Sequence, residues 1–110
     1  MTTATFYKKR NGDLKGFRIE GHSGYAESGS DIVCAAISAL VMNTVNSIIE
    51  FANIEPQCKV DDENAIIECF VDDTADESSQ LFMRSLKLGL SNMEADEETG
   101  SYIRLITKEV

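Results

Sequence analysis

The chain contains one histidine, His22, and a cysteine twelve residues later, Cys34. A thiol becomes a strong nucleophile when it loses its proton, and a histidine within hydrogen-bonding reach can accept that proton. The segment between them is rich in Gly and Ser, so its backbone is free to fold back on itself. The pair therefore allows nucleophilic catalysis by Cys34 with His22 as its base. The spacing allows the two side chains to meet but does not fix their distance.

Two elements must position this pair. A strand over residues 14–20 ends just before His22, and an apolar run with helical spacing predicts a helix from about Asp31 to Asn53. Either Ser30 or Asp31 would be the N-cap of that helix. Cys34 would then lie in the first turn, where unpaired N–H groups and the helix dipole favour a negative sulfur.

The string GHSGYAESGSDIVCAAIS, residues 21–38, resembles the bacterial ribosomal-processing cysteine proteases of the Prp family. The resemblance rests on Gly-His, the Gly/Ser loop and the pattern D-x-VCAA-x-S, and the length and element order of the whole chain also fit. It implies that the protein removes an N-terminal extension from large-subunit ribosomal protein twenty-seven. The cut would follow an apolar, aromatic-containing motif, and His22 and Cys34 would be the catalytic pair.

Two further residues, Asp31 and Ser38, also fall on this motif. Asp31 either caps the helix or orients His22 as the third member of a triad does. Ser38 lies one turn beyond Cys34 and would hydrogen-bond near the sulfur or to the helix carbonyls. We expect a loop over residues 23–30 to order over the substrate. The residues assigned to the substrate loop are Gly21, Ser23, Gly24, Tyr25, Gly29 and Ser30, with surface packing as the alternative for Tyr25.

The chain of 110 residues is long enough for one domain with a modest core. Its net charge is −9, and sixteen of its nineteen acidic residues follow position 30. Binding to a phosphate backbone needs clustered Lys and Arg, so we expect no direct nucleic-acid partner. The charge instead favours a basic protein partner, although a solubilising surface is the commoner reason for acidic clusters.

The cysteines and the apolar runs bear on compartment and cofactors. Three cysteines without a CxxC motif indicate a reducing compartment and no disulfide framework, with Cys58 and Cys69 acting as small hydrophobes. A single histidine argues against structural zinc, and we expect neither a metal nor another cofactor. The first residues lack the apolar segment of a signal peptide, and the apolar run Ile32–Met42 is too short to span a bilayer. We therefore expect a cytoplasmic protein with no membrane partner.

The element order predicted along the chain is ββαββαβ. Strands over 3–10 and 14–20 would form a hairpin through Asn11-Gly12-Asp13, because Asn-Gly suits a tight turn. A second hairpin would join residues 57–60 to 65–72, and Thr74 with Glu77 would form a capping box opening a helix to about Met93. With a last strand from Tyr102, this order predicts a two-layer α+β domain with a mostly antiparallel sheet and two helices packed on it. The strand order cannot be read from the sequence.

The helix over 31–53 is apolar around more of its circumference than one core stripe requires. Ala35, Ala36, Ala39 and Met42 widen the stripe in its first half. A helix that is apolar on two sides needs two partners, and in a chain this short the second is a copy of itself. We therefore expect a homodimer, with a partly exposed rim of small residues as the alternative.

Two other functions compete with peptide hydrolysis. An acidic, non-catalytic adaptor would bind a basic ribosomal protein during assembly. A thiol redox protein would use Cys34, but such chemistry usually needs a resolving cysteine nearby, and none lies in the same motif.

Overall fold

A computed structural model of the chain describes residues 1–21, 28–72 and 76–110, and for residues 28–31 it describes the backbone alone. One sheet and two helices account for most of these residues. In chain order the elements are β1 (Thr2–Lys8), β2 (Leu14–Glu20), α1 (Ser28–Phe51), β3 (Gln57–Asp61), β4 (Ile66–Phe70), α2 (Glu77–Ala95), a 3₁₀ turn (Gly100–Tyr102) and β5 (Ile103–Glu109). This confirms the predicted two-layer α+β fold and its element order.

The strand order across the sheet is β3-β4-β2-β1-β5. Among the described strands, the β1–β5 pair is parallel and the other three pairs are antiparallel. The first hairpin turns where the sequence predicts, with Gly12 at a φ of 97° and its N–H donating to the carbonyl of Lys9 at 2.9 Å. A positive φ costs glycine nothing, so Asn11-Gly12 fits this turn.

The core lies on one face of the sheet. Phe6 and Phe17 are opposite each other in the β1–β2 register, and Cys69 of β4 is opposite Phe17, so these side chains share a face. All three are almost fully buried. From α1 the core receives Val33, Ile37, Val41 and Ile48, and from α2 it receives Met83, Leu86 and Leu90. The two helices and this sheet face therefore enclose one apolar core.

The α1 helix is more apolar than its core face requires. Its segment Ile32–Phe51, longer than the run Ile32–Met42, is long and apolar enough to cross a membrane by length and composition alone, a test that the core helix of a soluble protein also passes. In the fold, its buried side chains pack in the core. Ile32, Met42 and Phe51 remain exposed at 68%, 63% and 73%. Part of the apolar surface of α1 therefore stays exposed.

Both helices begin at other residues than predicted. The α1 helix begins at Ser28, three residues before Asp31, so neither Ser30 nor Asp31 is its N-cap. The N-cap of α2 is Asp76, whose carboxylate accepts a hydrogen bond from the Ser79 backbone N–H at 3.1 Å. An Asp at this position satisfies a helix N–H as well as a capping-box Thr does. Thr74 itself lies outside the described residues.

A disulfide joins Cys58 to Cys69, which corrects the expectation of no disulfide. The two residues are directly opposite each other in the β3–β4 register, with Cα atoms 4.1 Å apart. The hairpin therefore brings together two cysteines that are eleven residues apart in the chain. With an odd number of cysteines at least one must stay outside a disulfide, but the other two can still form one.

The α2 helix is tied to β2 by one side chain. The amide oxygen of Gln80 accepts a hydrogen bond from the Leu14 N–H at 2.7 Å, and its amide nitrogen donates to the Leu14 carbonyl at 2.7 Å. Leu14 is buried, so both backbone groups would lose their partners if this amide were removed.

Replacing Gln80 with Leu should therefore destabilise the protein by about 1–3 kcal/mol, the cost of leaving buried polar groups unpaired. The free energy of unfolding in urea measures this change. Arg84→Leu, at an exposed site on the same helix, is the control and should change stability by less than about 0.5 kcal/mol. Equal effects of the two substitutions would contradict this role for Gln80.

Candidate active site

Cys34 is the seventh residue of α1 and is half-buried. It therefore lies in the second turn, and not in the first turn as the sequence predicts. Its Sγ lies 3.8 Å from the hydroxyl oxygen of Thr2, a buried residue at the start of β1. Among the described cysteines it alone is outside a disulfide.

The end of β2 reaches the same corner of the fold. Gly21 follows β2 directly and has a φ of 92°, a conformation that favours glycine. A Cβ at this position would lie 2.5 Å from the carbonyl oxygen of Met1, next to Thr2. The Gly21 N–H donates to the Ala65 carbonyl at 3.2 Å, which fixes the backbone there. The strand that precedes His22 and the helix that carries Cys34 therefore meet beside Thr2.

A cleft of about 520 Å³ opens at this corner. One side is formed by α1 and the other by the β3–β4 hairpin, with β2 beneath them. The residues lining it are Thr2, Ile19, Gly21, Cys34, Ile37, Ser38, Val41, Met42, Val60, Asp61, Asp62, Ala65, Ile66 and Ile67. Its size falls within the range of ligand sites, and its lining is mostly apolar. A thiol beside such a cleft is suited to attack a bound peptide.

The mouth of the cleft carries negative charge. Asp61 and Asp62 lie at the β3–β4 turn, where the Asn64 side chain donates to one Asp61 oxygen at 2.8 Å and its backbone N–H donates to the other at 3.1 Å. These hydrogen bonds hold the pKa of Asp61 below its ordinary value. The carboxylate is therefore ionised at neutral pH and favours basic groups at this end.

The structure places only some of the predicted site residues. Cys34, Ser38 and Gly21 line the cleft. The first turn of α1 contains Gly29, Ser30 and Asp31. The prediction that Gly29 and Ser30 belong to a loop is therefore wrong. The structure describes only the backbone of these residues. The residues that lie outside the described part of the chain are His22, Ser23, Gly24 and Tyr25.

Sequence reasoning missed the residues that complete the cleft. These residues are far from the motif in sequence: Thr2 at the start of β1, and Val60, Asp61 and Ile66 in the β3–β4 hairpin. Only the strand alternation gave a signal, because it places Val60 on the same face of β3 as Cys58. The strand order, which could not be predicted, decides that this hairpin lies beside β2.

No group of three or more His, Cys, Asp or Glu side chains within residues 1–21, 28–72 and 76–110 has a geometry that could hold a metal ion. The chemistry available at the described part of the cleft is that of a thiol beside polar and apolar side chains.

Comparison with known proteins identifies the chemistry. The profile of the family described as cysteine protease Prp matches residues 1–104. The chain belongs to this family. It is 30% identical to the ribosomal processing cysteine protease Prp of Staphylococcus aureus over 105 residues, which cover 96% of this chain and 97% of the relative. It is 28% identical to the Bacillus subtilis protein of the same name over 100 residues, which cover 87% and 89%.

Solved structures of the Prp family agree. Prp from S. aureus in complex with a substrate peptide superposes with a TM-score of 0.89 at 28% identity, covering 98% of this chain and 100% of that one. The same protein with a covalently linked product peptide gives a TM-score of 0.86 at 30% identity, with the same coverage of both chains. A Streptococcus mutans protein gives a TM-score of 0.88 at 28% identity, covering 100% of this chain and 99% of that one. The chain is therefore a cysteine protease with the Prp fold.

The Gly21 backbone should matter for activity. Gly21→Ala would place a side chain at a positive φ and against the Met1 carbonyl, so the chain entering His22 must shift. We expect cleavage of a peptide substrate to fall by a factor of about 10² or more, because a displacement of about 1 Å costs that much. The measurement is kcat/KM.

Gly12→Ala is the matched control. Gly12 has a φ of 97° but no atom lies within 4 Å of the added Cβ, and its turn is remote from the cleft. This variant should lose about 1 kcal/mol of stability and keep its activity. A similar loss of activity in both variants would mean that global strain, and not the position of Gly21, controls cleavage.

Proposed function

We propose that this protein removes the N-terminal extension of large-subunit ribosomal protein twenty-seven during ribosome maturation. The observation that carries the proposal is the thiol of Cys34, which is not part of a disulfide, beside a cleft large enough for a peptide, in a chain of the Prp family. Relatives named as ribosomal processing proteases support the substrate class. The acidic residues at the cleft mouth fit a basic substrate protein.

In the proposed reaction, His22 accepts the Cys34 thiol proton and the thiolate attacks the scissile carbonyl carbon. The tetrahedral intermediate collapses to a thioester, and the C–N bond breaks as His22 returns the proton to the leaving amine. Water then attacks the thioester, with His22 again as the base, and releases the acid product and the thiol. No redox step is involved, and no external cofactor is consumed.

The first turn of α1 supplies the candidate oxyanion donors. The first N–H groups of a helix have no acceptor within the helix, and in α1 these include the N–H groups of residues 28–30. Helical side chains tilt toward the N-terminus, so the Cys34 side chain is directed toward this turn. Stabilisation of the oxyanion by such donors is usually a large part of catalysis. Ser38 on the next turn supports the site from the cleft lining.

Asp31 is the fourth residue of α1 and not its N-cap. In the proposed reaction it orients His22, as a triad carboxylate orients its base. The segment 23–27 would close over the peptide, with Tyr25 covering it. We place the reaction in the cytoplasm, where ribosomal proteins are made.

Cys34→Ala should lower cleavage of the precursor by a factor of about 10³ or more while leaving the fold intact, because truncating one half-buried thiol opens little core. His22→Ala should lower kcat by about 10²–10⁴, the usual contribution of a general base. The measurement is single-turnover cleavage of the full precursor, with circular dichroism to check folding.

The control variant is Cys58→Ser with Cys69→Ser, which keeps Cys34 as the one thiol. It should retain the wild-type kcat at saturating substrate. Asp31→Asn should lower kcat if Asp31 orients His22, and unchanged activity would refute that role. Precursor cleavage that persists in Cys34→Ala would refute the catalytic assignment as a whole.

We further propose that the protein is a homodimer through the outer side of α1. Ile32, Ala35, Ala39 and Met42 are 3 or 4 residues apart in turn, so they form one band, and Ile32 and Met42 are more than 60% exposed. A two-fold axis would let this band cover itself in a partner copy. Exposed apolar bands of this kind usually mark interaction surfaces.

Light scattering or sedimentation should give the mass of a dimer at micromolar concentration. Ala39→Glu, which puts a charge in the middle of the band, should give a monomer because burying an unpaired charge is costly. Leu88→Glu, at an exposed apolar site on α2, should leave the dimer intact. A monomeric wild-type protein would exclude this interface.

A further inference from the structure

The β3 strand is the least supported element of the sheet. It is an edge strand that pairs with β4 alone, and all five of its residues are exposed. Cys58 and Val60 point to the face that the helices cover elsewhere, yet Val60 is 63% exposed. Strands with few buried contacts are the first to open locally. The position of β3 therefore depends on its link to β4.

This strand is also a wall of the Cys34 cleft. Val60 and Asp61 line the cleft on the hairpin side, and Met42 of α1 lines it on the other side. A peptide bound at Cys34 would lie between the hairpin and α1 and cover the apolar side chain of Val60. Movement of β3 would therefore change peptide binding without changing the groups at the reacting carbonyl.

The disulfide ties this wall to the core. Cys69 is 2% exposed and belongs to the core cluster, whereas Cys58 is exposed on β3, two residues before Val60. The bond between them is thus a covalent link from the apolar core to the outermost strand. Because Cys58 is exposed and Cys69 is buried, Cys58 is the more accessible half of this bond for a reductant.

We propose that the Cys58–Cys69 disulfide is a redox-sensitive clamp that positions Val60 as a substrate-contacting wall of the cleft. The two cysteines are positioning residues, since they act through β3. The proposal rests on peptide hydrolysis at Cys34, and it adds a control of substrate affinity by thiol redox state.

The switching reaction is thiol–disulfide exchange with a dithiol. One thiolate of the dithiol attacks the exposed Cys58 sulfur, the S–S bond breaks, and Cys69 leaves as a thiolate that takes up a proton. The second thiolate of the dithiol then attacks the mixed disulfide and releases Cys58, which is protonated in turn. Two electrons pass to the protein, and the dithiol becomes a disulfide. A small-molecule disulfide reverses the reaction.

Reduction leaves β3 held by its backbone pairing with β4. If the wall is in place in only a third to a tenth of the molecules, the apparent KM rises by about three- to tenfold, because affinity scales with the competent fraction. The kcat at saturating peptide stays the same, since bound peptide restores the wall. A KM effect without a kcat effect is therefore the signature of the clamp.

The first measurement counts thiols in the Cys34→Ala variant. The protein is purified without reductant, denatured, alkylated and weighed by mass spectrometry. We expect no alkyl group before reduction and two after it. Two alkyl groups before reduction would mean that the pair does not form, which would overturn the proposal.

The second measurement compares the kinetics of oxidised and dithiothreitol-reduced wild-type protein, with the Cys58→Ser/Cys69→Ser double variant as the matched control. Reduction should raise the wild-type KM about three- to tenfold. The double variant should have the high KM with or without dithiothreitol. An unchanged wild-type KM, or an equal response in the double variant, would overturn the clamp.

Two substitutions on β3 test the wall itself. Val60→Asp should raise KM, whereas Lys59→Asp, on the opposite face of the strand, should not. Equal effects would show that charge, and not contact with Val60, matters.

Hydrogen–deuterium exchange separates this proposal from the proposed function. The amides of residues 57–61 should exchange faster after reduction in Cys34→Ala, whether or not the protein cleaves peptides. No cleavage by any form would refute the proteolytic function alone. Unchanged exchange would refute the clamp alone.

Discussion

The burial of Thr2 at the corner where β1 begins, β2 ends and α1 passes is the constraint on which the site depends. Thr2 is 4% exposed, and its hydroxyl oxygen lies 3.8 Å from the Cys34 sulfur. Gly21 lies against the neighbouring Met1 carbonyl. The parallel pairing of β1 with β5 and its antiparallel pairing with β2 hold this corner from both sides. The motif residues are thus positioned by strands that are distant from them in sequence.

The cleft exists because the sheet is wider than the layer of two helices that packs on it. Strands are about 4.8 Å apart, so five strands span about 19 Å between the outermost backbones. Helices pack about 8–10 Å apart, and two of them leave part of a twisted sheet uncovered. Here the uncovered part is β3, which is exposed at every residue. The Cys34 side of α1 therefore faces open sheet, and that space is large enough for an extended peptide.

Local patterns predicted the elements well. Asn11-Gly12 predicts the first turn, and the apolar run with helical spacing predicts α1. Local signals failed at helix starts, because several Ser and Asp residues compete as caps. They also failed for the disulfide, which depends on the register of the predicted hairpin, and for the hairpin wall, which depends on the strand order. The catalytic pair was named from the motif, and of the two only Cys34 lies within the described residues.

The most direct test of the central claim is to trap the acyl-enzyme. Precursor cleavage is quenched in acid at short times, and the protein is weighed intact and mapped by peptide mass spectrometry. A Cys34 nucleophile predicts a transient adduct with the mass of the N-terminal extension minus water, joined to Cys34 as a thioester and released by hydroxylamine. Rapid cleavage with no adduct on Cys34, or an adduct on another residue, would contradict the account.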